Sequence, residues 1–321
     1  MDQNVTSSGG RGAAGETDGV TTGRFAPSPS GPLHVGNLRT ALVACCAARH
    51  DGGAFLVRVE DLTTGAAPVA EQSQLDDLAA LGLDHDGEVV RQSERTAAYD
   101  AAVDQLVAAG LTYECVCTRA EVRRELEAAA AAPHEFADDG YPGTCRSLTP
   151  DQLAAKVAEG RVPSLRLRAD DAVVVARDLR LGELSAVVDD FVLRRGDGVA
   201  AYNLAVVVDD AAQGVDQVVR GDDLWRTTPR HVLLQQLLGL PTPDYLHVPL
   251  VLGADGRRLA KRHGAIRLDD LRAQGMAVDE VRDRLAASLG LSEPGEHAPM
   301  HVLAERFDPR TMPADPWVWA P

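Results

Sequence analysis

The segment "GRFAPSPSGPLHVGNLRTALVACCAARHDGGAFLVRVEDL", which starts at residue 23, constrains the fold more than any other part of this chain. Its pattern predicts a short strand over Arg24 to Ala26, a proline-rich loop, a helix from about Gly36 to Arg49 and a strand over Phe55 to Val59. Two strands joined by a helix form a βαβ unit, and such units build parallel sheets. We therefore expect an α/β protein.

A later segment, "VDQVVRGDDLWRTTPRHVLLQQLLGL", shows the same alternation. It predicts a strand that ends near Arg220, an acidic turn, and a helix that starts at Thr228 and Pro229 and stops at Gly239. The next stretch, "DYLHVPLVLGADGRRLAKRHGAI", adds an apolar strand and a turn at Asp255. Together these units predict a mostly parallel sheet with helices on both faces.

The remaining segments divide the chain into five parts. We expect residues 1–22 to be a disordered tail, and residues 23–111 and 189–268 to form the two halves of the α/β domain. The connection over 112–188 is too long for a simple loop, so it predicts an inserted subdomain with a cysteine segment and β-rich stretches. Residues 269–321 predict a short helical C-terminal region, although the turn-rich end "DPRTMPADPWVWAP" carries no structural prediction.

Charge and composition exclude some classes of protein. The formal net charge of −16 argues against casual nucleic-acid binding, because phosphate contacts need Lys or Arg, but it leaves room for a local basic patch. No apolar run approaches a membrane span, and the first 22 residues lack the basic start and apolar centre of a signal peptide. We expect a cytoplasmic protein, in which the five cysteines form no disulfide framework.

A strand-to-helix junction at "PSPSGPLHVGN" is the first candidate ligand site. In an open α/β sheet, ligands lie beyond the carboxyl ends of the strands, and a helix N-terminus binds phosphate. His34 and Gly36 would then face the phosphates of a nucleotide. Taken alone, the stretch is better explained as a Pro/Gly turn with an incidental histidine.

Lysine usage marks a second candidate site. The chain has 32 Lys and Arg residues but only two lysines, Lys156 and Lys261, so arginine is strongly preferred for a cationic position. A lysine in "GRRLAKRHGA" therefore indicates a position at which arginine does not serve. An ammonium is a compact and mobile point charge, whereas a guanidinium is a rigid planar fork.

Five ordered motifs connect these sites to a known family. "RFAPSPSGPLHVGNLRTAL" closely resembles the HIGH-motif region of class I glutamyl-tRNA synthetases, and "RRLAKR" resembles their KMSKS loop. "LVRVEDL", "AAYNLAVVVDD" and "VVRGDDLWRTTPRH" resemble further family segments in the same order, over roughly residues 23–268. The resemblance implies a Rossmann-like catalytic domain with an inserted, zinc-bearing, acceptor-type subdomain. It also places "AVVVDD", which alone reads as a strand, in a helix.

The resemblance implies which residues bind ATP. Lys261 occupies the position of the second KMSKS lysine, which contacts the ATP phosphates and stabilises charge as pyrophosphate leaves. Arg258 replaces the first lysine of that motif, and Ala260 replaces its usual serine. By the same resemblance the catalytic and ATP-binding residues are His34, Gly36, Asn37 and Lys261. ATP is expected to carry Mg²⁺ with it.

An amino-acid site is also implied. Glu60 matches the family's acidic partner for the substrate amine, and arginines can pair a substrate carboxylate bidentately. For Arg220, the alternative explanation is a surface ion pair at a strand end. The implied glutamate-binding residues are Arg24, Phe25, Ala26, Pro27, Ser28, Glu60, Tyr202 and Arg220.

The cysteine segment resembles the C-x-C…Y-x-x-x-C zinc site of one branch of the family. The implied ligands are Cys115, Cys117, Tyr141 and Cys145, which would close one tetrahedral structural Zn²⁺ site. The stretch between Cys117 and Tyr141 is longer than usual and contains His134, a rival fourth ligand. Without the family, reduced buried thiols are about as good an explanation as a metal.

The number of residues after the KMSKS-like loop is evidence about which molecule accepts the glutamyl group. Only about 60 residues follow Lys261, too few for the family's usual anticodon-binding region. With Ser30 in place of the usual threonine, and with the cysteine pattern, this resembles a truncated branch that activates glutamate with ATP and transfers it to queuosine at the wobble position of tRNA-Asp. The alternatives are a minimal enzyme that glutamylates the 3′ end of tRNA-Glu or another acceptor, and a zinc-stabilised binding protein without catalysis. We expect a monomer.

Overall fold

The computed structural model of the chain describes residues 20–63, 65, 67–130, 140–257 and 266–319. The strands are β1 (Thr22–Phe25), β2 (Ala54–Val59), β3 (Val90–Arg91), β4 (Thr112–Cys115), β5 (Ser164–Leu167), β6 (Val173–Asp178), β7 (Gly182–Val187), β8 (Val192–Arg194), β9 (Gln217–Gly221), β10 (Asp244–Val248), β11 (Val251–Leu252) and β12 (Trp317–Val318). The helices are α1 (Val35–His50), α2 (Pro68–Ala80), α3 (Thr96–Ala108), α4 (Arg119–Ala130), α5 (Pro150–Ala158), α6 (Tyr202–Ala212), α7 (Thr228–Leu238), α8 (Leu268–Ala273), α9 (Val278–Ser288) and α10 (Met300–Glu305).

A seven-stranded sheet forms the centre of the fold, in the order β3-β2-β1-β9-β10-β6-β7. Every neighbouring pair is parallel except β6 and β7, which form an antiparallel hairpin at one edge. The predicted α/β class with a mostly parallel sheet is confirmed. Because the chain moves outward from β1 on one side and from β9 on the other, the carboxyl ends of these two strands flank a crevice, where open α/β sheets bind ligands.

The βαβ unit at the start of the described chain follows the sequence pattern closely. The helix predicted from about Gly36 to Arg49 is α1, and the strand predicted over Phe55 to Val59 is β2. Eleven residues of α1 are buried, because the sheet covers one side of the helix and α9 and α10 pack on the other. This double burial explains why the helix is apolar nearly all round rather than amphipathic.

The second unit also matches its prediction. The strand predicted to end near Arg220 is β9, and the helix predicted from Thr228 is α7. The helix ends at Gly239, whose φ of 68° is the left-handed conformation that glycine adopts at a helix C-terminus. The "AVVVDD" stretch lies within α6, as the family resemblance implies. Here the burial of the helix overrides the strand preference of its valines.

A three-stranded antiparallel sheet of β4, β5 and β8 is separate from the central sheet, and its strand β4 ends at Cys115. Strands β6 and β7 fall within the range 112–188 that was assigned to an inserted subdomain, yet they extend the central sheet, with Asp178 opposite Tyr245 of β10. Sequence pattern does not reveal this pairing, because β6 and β10 are separated by more than sixty residues. The division into domains stays a prediction.

The C-terminal region returns to the central domain. Strand β12 pairs in parallel with β11, and Trp319 is 1% exposed. The rings of Trp317 and Trp319 pack edge to face at 5.2 Å. This strand lies in the turn-rich end for which the sequence offered no prediction. Within the described ranges, no helix is both long enough and apolar enough to cross a bilayer.

Candidate active site

A cavity of about 530 Å³ opens at the crevice between β1 and β9. It is lined by the start of α1, by the loop after β1 and by residues at the carboxyl ends of β2, β9 and β10. Eleven of the predicted catalytic, glutamate-binding and ATP-binding residues line this one cavity, namely Arg24, Phe25, Ala26, Pro27, Ser28, His34, Gly36, Asn37, Glu60, Tyr202 and Arg220. The structure therefore brings these residues together, while their individual roles stay predictions.

The N-terminus of α1 is capped from within the motif. His34 Nδ1 accepts hydrogen bonds from the backbone N–H groups of Gly36 (3.1 Å) and Asn37 (3.3 Å), and Asn37 Oδ1 accepts from the His34 N–H (3.3 Å). These N–H groups thus donate to the imidazole in the structure, and the contact of His34 and Gly36 with a nucleotide phosphate stays a prediction. Because Nδ1 accepts, the proton of the neutral imidazole is on Nε2.

Gly36 is required by this cap. A Cβ at position 36 would lie 3.0 Å from Cε1 and 3.1 Å from Nδ1 of the His34 ring, tighter than ordinary contact. The glycine therefore allows the imidazole to fold back onto the first turn of the helix. This is a packing reason for the His-x-Gly spacing, in addition to any contact with a nucleotide.

The arginine of "RFAPS" is neutralised inside the protein. Arg24 donates to Asp210 Oδ1 from Nε (2.9 Å), to Asp210 Oδ2 from Nη2 (3.3 Å) and to the Val219 carbonyl from Nη1 (3.2 Å). Arg58 Nη1 donates to the same Asp210 Oδ1 at 2.7 Å. Burial raises the pKa of Asp210, but the two guanidinium groups outweigh it and lower that pKa to about 2.

Asp209, the neighbour of Asp210 on α6, completes a charge network. It is fully buried and accepts from Tyr99 (2.7 Å), Gln92 (3.0 Å) and Arg95 (2.5 Å). Glu60 Oε1 lies 3.4 Å from Arg58 Nη2, and burial raises the pKa of Glu60 although Arg58 and Arg24 oppose that shift. The network balances three cations with three anions, which are Arg24, Arg58, Arg95, Glu60, Asp209 and Asp210.

Arg220 differs from Arg24 because its partners are uncharged. Its Nε donates to His247 Nε2 (3.1 Å), Nη1 is 3.0 Å from His231 Nδ1, and Nη2 donates to Thr228 Oγ1 (2.8 Å). The residue is 6% exposed. Among the described residues, no carboxylate lies within 4.0 Å of its guanidinium. A buried cation without a carboxylate partner, at the wall of a cavity, is an arrangement suited to binding an anion.

Tyr202 begins α6 at the cavity wall. Its ring lies 5.8 Å from that of His231, and 40% of the residue is exposed. It therefore presents an aromatic surface to the cavity beside Arg220.

The three predicted cysteine ligands converge next to the predicted tyrosine. The sulfur atoms of Cys115, Cys117 and Cys145 lie within 4.8 Å of one another, with Cys117 and Cys145 at 3.3 Å. The Tyr141 hydroxyl is 3.3 Å from Cys115 Sγ and 3.6 Å from Cys117 Sγ. Around a tetrahedral zinc, two thiolates would be about 3.8 Å apart and a thiolate and an oxygen about 3.5 Å apart, so the donor set fits such an ion.

The surroundings of the cysteine cluster hold the tyrosine in place. The Tyr141 hydroxyl accepts from the Cys145 N–H at 2.9 Å, and the Arg166 guanidinium lies 3.7 Å from the centre of the Tyr141 ring. His134, the rival fourth ligand, lies outside the described residues, as do Lys261, Arg258 and Ala260.

Comparison with known proteins gives the family. Residues 20–298 match the catalytic domain of class I tRNA synthetases (E and Q). A glutamyl-Q tRNA(Asp) synthetase from Nocardia farcinica is 55% identical over 92% of this chain and 92% of its own length. The chain belongs to the class I tRNA synthetases. A second glutamyl-Q tRNA(Asp) synthetase, from Symbiobacterium thermophilum, is 45% identical over 92% of this chain and 94% of its own.

Solved structures of class I tRNA synthetases agree in fold. A glutamate tRNA ligase from Elizabethkingia meningosepticum, crystallised with its amino acid, superposes with a TM-score of 0.78 at 26% identity. The alignment covers 94% of this chain and 67% of that ligase. The resemblance read from five short motifs thus extends over almost the whole synthetase chain described here.

Several residues of this synthetase site were not singled out in the sequence. They are the charge partners Arg58, Asp209 and Asp210 and the groups around Arg220, which are Thr228, His231 and His247. The sequence does carry a signal for Arg58, Asp209 and Asp210. Two adjacent aspartates lie near the end of an otherwise apolar helix, and such a pair needs buried cations as partners. No comparable signal marks the histidines, because they are brought to Arg220 from different elements by the tertiary fold.

Proposed function

We propose that this chain activates glutamate with ATP and transfers the glutamyl group to queuosine at the wobble position of tRNA-Asp. The observation that carries the proposal is Arg220, the buried arginine that lacks a carboxylate partner among the described residues. A guanidinium has five N–H donors, and three of those on Arg220 are used within the protein. Two remain, which matches bidentate binding of one carboxylate.

Glu60 supplies the complementary charge. It lines the same cavity, and its contact with Arg58 is long, at 3.4 Å. A substrate with an ammonium group at one end and a carboxylate at the other could place the ammonium beside Glu60 and the carboxylate on Arg220. Glutamate has this arrangement, with its α-amino group at Glu60 and its side-chain carboxylate at Arg220.

The first step forms glutamyl-adenylate. An oxygen of the glutamate α-carboxylate attacks the α-phosphorus of ATP, and the bond to the departing pyrophosphate breaks. We propose that His34, in the tautomer that donates from Nε2, and the start of α1 bind the phosphates, and that Lys261 follows the charge that develops on pyrophosphate. Mg²⁺ would arrive with ATP and neutralise part of the phosphate charge.

In the second step, a hydroxyl oxygen of the queuosine cyclopentenediol attacks the carbonyl carbon of the adenylate and AMP leaves. No side-chain nucleophile is needed. The names of the relatives from Nocardia farcinica and Symbiobacterium thermophilum support this acceptor. We further propose that the enzyme works as a monomer in the cytoplasm, where its substrates ATP and tRNA are found.

The cysteine cluster has a structural role in this proposal. Cys115, Cys117, Tyr141 and Cys145 would hold one Zn²⁺ that links the end of β4 to the segment before α5. The site lies apart from the cavity lining, so the metal would order the small sheet and take no part in the chemistry.

Amino-acid-dependent exchange of labelled pyrophosphate into ATP tests the activation step. We expect exchange with glutamate and little with glutamine or aspartate. Arg220→Gln should raise the KM for glutamate at least about tenfold, because a hydrogen-bonded ion pair is lost. Arg226→Gln is a matched control, since Arg226 is exposed on the turn before α7. Equal glutamate KM values for the two variants would contradict the assignment of Arg220.

A further inference from the structure

A line of buried side chains runs from Asp178 through His247 to Arg220. Asp178 Oδ2 is 2.7 Å from His247 Nδ1, and His247 Nε2 is 3.1 Å from Arg220 Nε. All three residues are less than 9% exposed. They come from the end of β6, from β10 and from β9, three adjacent strands of the central sheet.

Asp178 is itself held firmly. Its Oδ1 accepts from the backbone N–H groups of Arg180 (2.9 Å) and Leu181 (2.7 Å), and its Oδ2 accepts from the His247 N–H (2.8 Å). Burial raises the pKa of Asp178, but the hydrogen bonds from His247 and these backbone groups outweigh burial, so the pKa is lowered overall. The carboxylate is therefore a fixed acceptor.

The hydrogen bonds leave one tautomer for His247. Asp178 accepts, so His247 Nδ1 carries the proton, and Arg220 can only donate, so His247 Nε2 presents its lone pair. The same reasoning applies to His231, whose Nδ1 faces Arg220 and whose Nε2 donates to Asn203 Oδ1 at 2.9 Å. Both imidazoles are neutral in this arrangement, because a second proton on either ring would face an N–H of Arg220.

We propose that Asp178 and His247 are positioning residues that select a carboxylate over an amide at the substrate side chain, an inference that rests on the proposed function. The neutral imidazole separates the Asp178 carboxylate from Arg220. It fixes the guanidinium without neutralising it. Arg24 shows the opposite case, since Asp210 bonds to it directly and cancels its charge.

This arrangement has a consequence for specificity. The Arg220 charge remains for the ligand, and its two remaining N–H donors require two acceptor atoms. A glutamate side chain offers two acceptors and a negative charge, whereas glutamine offers one acceptor, no charge and an NH₂ group that would face the guanidinium. A site built on hydrogen bonds to a buried charge discriminates strongly against such an analogue.

Three variants test the inference by pyrophosphate exchange, with KM and kcat measured separately for glutamate, glutamine and ATP. His247→Leu removes the acceptor for Arg220 and should raise the glutamate KM at least about tenfold, lower the glutamate-to-glutamine preference by a similar factor and leave the ATP KM unchanged. His247→Gln should recover much of both, because its amide can accept from Arg220 and donate to Asp178. Asp178→Asn should give a glutamate KM and a glutamate-to-glutamine preference between those of the two His247 variants.

A structural control separates positioning from folding. Gln235→Leu removes a buried hydrogen bond from α7 to the Tyr245 hydroxyl (3.0 Å), and Gln235 makes no hydrogen bond to Arg220. It should lower the melting temperature without changing glutamate preference. If His247→Leu does not fold, Asp178→Asn decides the question, because His247→Gln is expected to stay close to wild type.

A failure of the positioning role can be distinguished from a failure of the proposed function. A wild-type enzyme without glutamate-dependent exchange would overturn the proposed function itself. A wild-type enzyme that prefers glutamate, with unchanged preference and unchanged glutamate KM in folded His247→Leu or in Asp178→Asn, would overturn the positioning role alone.

Discussion

Arg24 Nε lies 2.9 Å from Asp210 Oδ1, so the arginine of the "RFAPS" motif forms an internal ion pair. Its charge is therefore not left unpaired for an anionic ligand. Arg220, on the neighbouring strand, has only uncharged partners among the described residues. Two arginines that the sequence assigned to one glutamate pocket therefore differ in what they offer a ligand. Arg24 is part of the pocket wall, and in the proposed function Arg220 supplies the charge.

Asp210→Asn should strongly destabilise the protein. The carboxylate is shared by Arg24 and Arg58, and without it one buried positive charge has no counter-ion. Breaking such a pair costs about 3–5 kcal/mol, which urea denaturation would measure as a fall in the free energy of unfolding. Asp104→Asn, on the exposed face of α3, should change it by less than about 0.5 kcal/mol. Similar curves for both variants would refute the network.

Lys261→Arg should lower kcat for glutamate activation by a factor on the order of 10² even though the charge is kept. The reason is that a planar guanidinium does not follow a single phosphate oxygen as an ammonium does. Lys156→Arg, at the only other lysine of the sequence and exposed on α5, serves as the control. Pyrophosphate exchange for Lys261→Arg at the wild-type rate would show that charge alone explains this position.

In the proposed zinc site, Cys117→Ser removes one of the three thiolate ligands, so it should release the metal and lower the melting temperature. Elemental analysis of the purified proteins is the measurement. Cys45→Ala, a buried thiol of α1 far from the cluster in sequence, should keep the wild-type metal content. Equal zinc in wild type and Cys117→Ser would exclude the cluster as its site.

The buried histidines should make the protein less stable in mild acid. Burial and the Arg220 charge lower the pKa of His231 well below the ordinary 6.5, and burial also lowers the pKa of His247, although Asp178 opposes that shift. Below pH 6.5 the unfolded chain gains protons that the folded chain does not, so stability is present above this pH and is lost as pH falls.

The slope of the free energy of unfolding against pH tests this prediction. Each such histidine should reduce the free energy of unfolding by up to about 1.4 kcal/mol per pH unit below 6.5. Denaturation of wild type and His231→Gln at pH 7 and pH 5.5 isolates one of them, since other groups titrate equally in both proteins. An identical slope for the two proteins would show that His231 is not held neutral in the folded state.

The sequence predicts local structure well wherever periodicity and capping residues are strong. The helix expected from about Gly36 to Arg49 and the stop at Gly239 agree with α1 and α7 to within a residue. Both follow from signals within a few residues of the chain. The ligand pocket was predicted through resemblance, and the structure brings its residues to one cavity.

What the sequence does not show depends on contacts between distant segments. The β6–β7 hairpin joins the central sheet through Asp178 opposite Tyr245, and β12 pairs with β11 next to the buried Trp319. Neither strand pairing produces a periodic pattern in the sequence. The uncharged surroundings of Arg220 are equally invisible, because His247 and Thr228 reach it from separate elements.

Transfer of labelled glutamate to tRNA is the most direct test of the proposed acceptor, queuosine in tRNA-Asp. Purified enzyme with ATP is offered three acceptors, namely tRNA-Asp that carries queuosine, the same tRNA without queuosine, and tRNA-Glu. We expect label on queuosine-containing tRNA-Asp alone. Label on tRNA-Glu, or equal label on tRNA-Asp with and without queuosine, would contradict it.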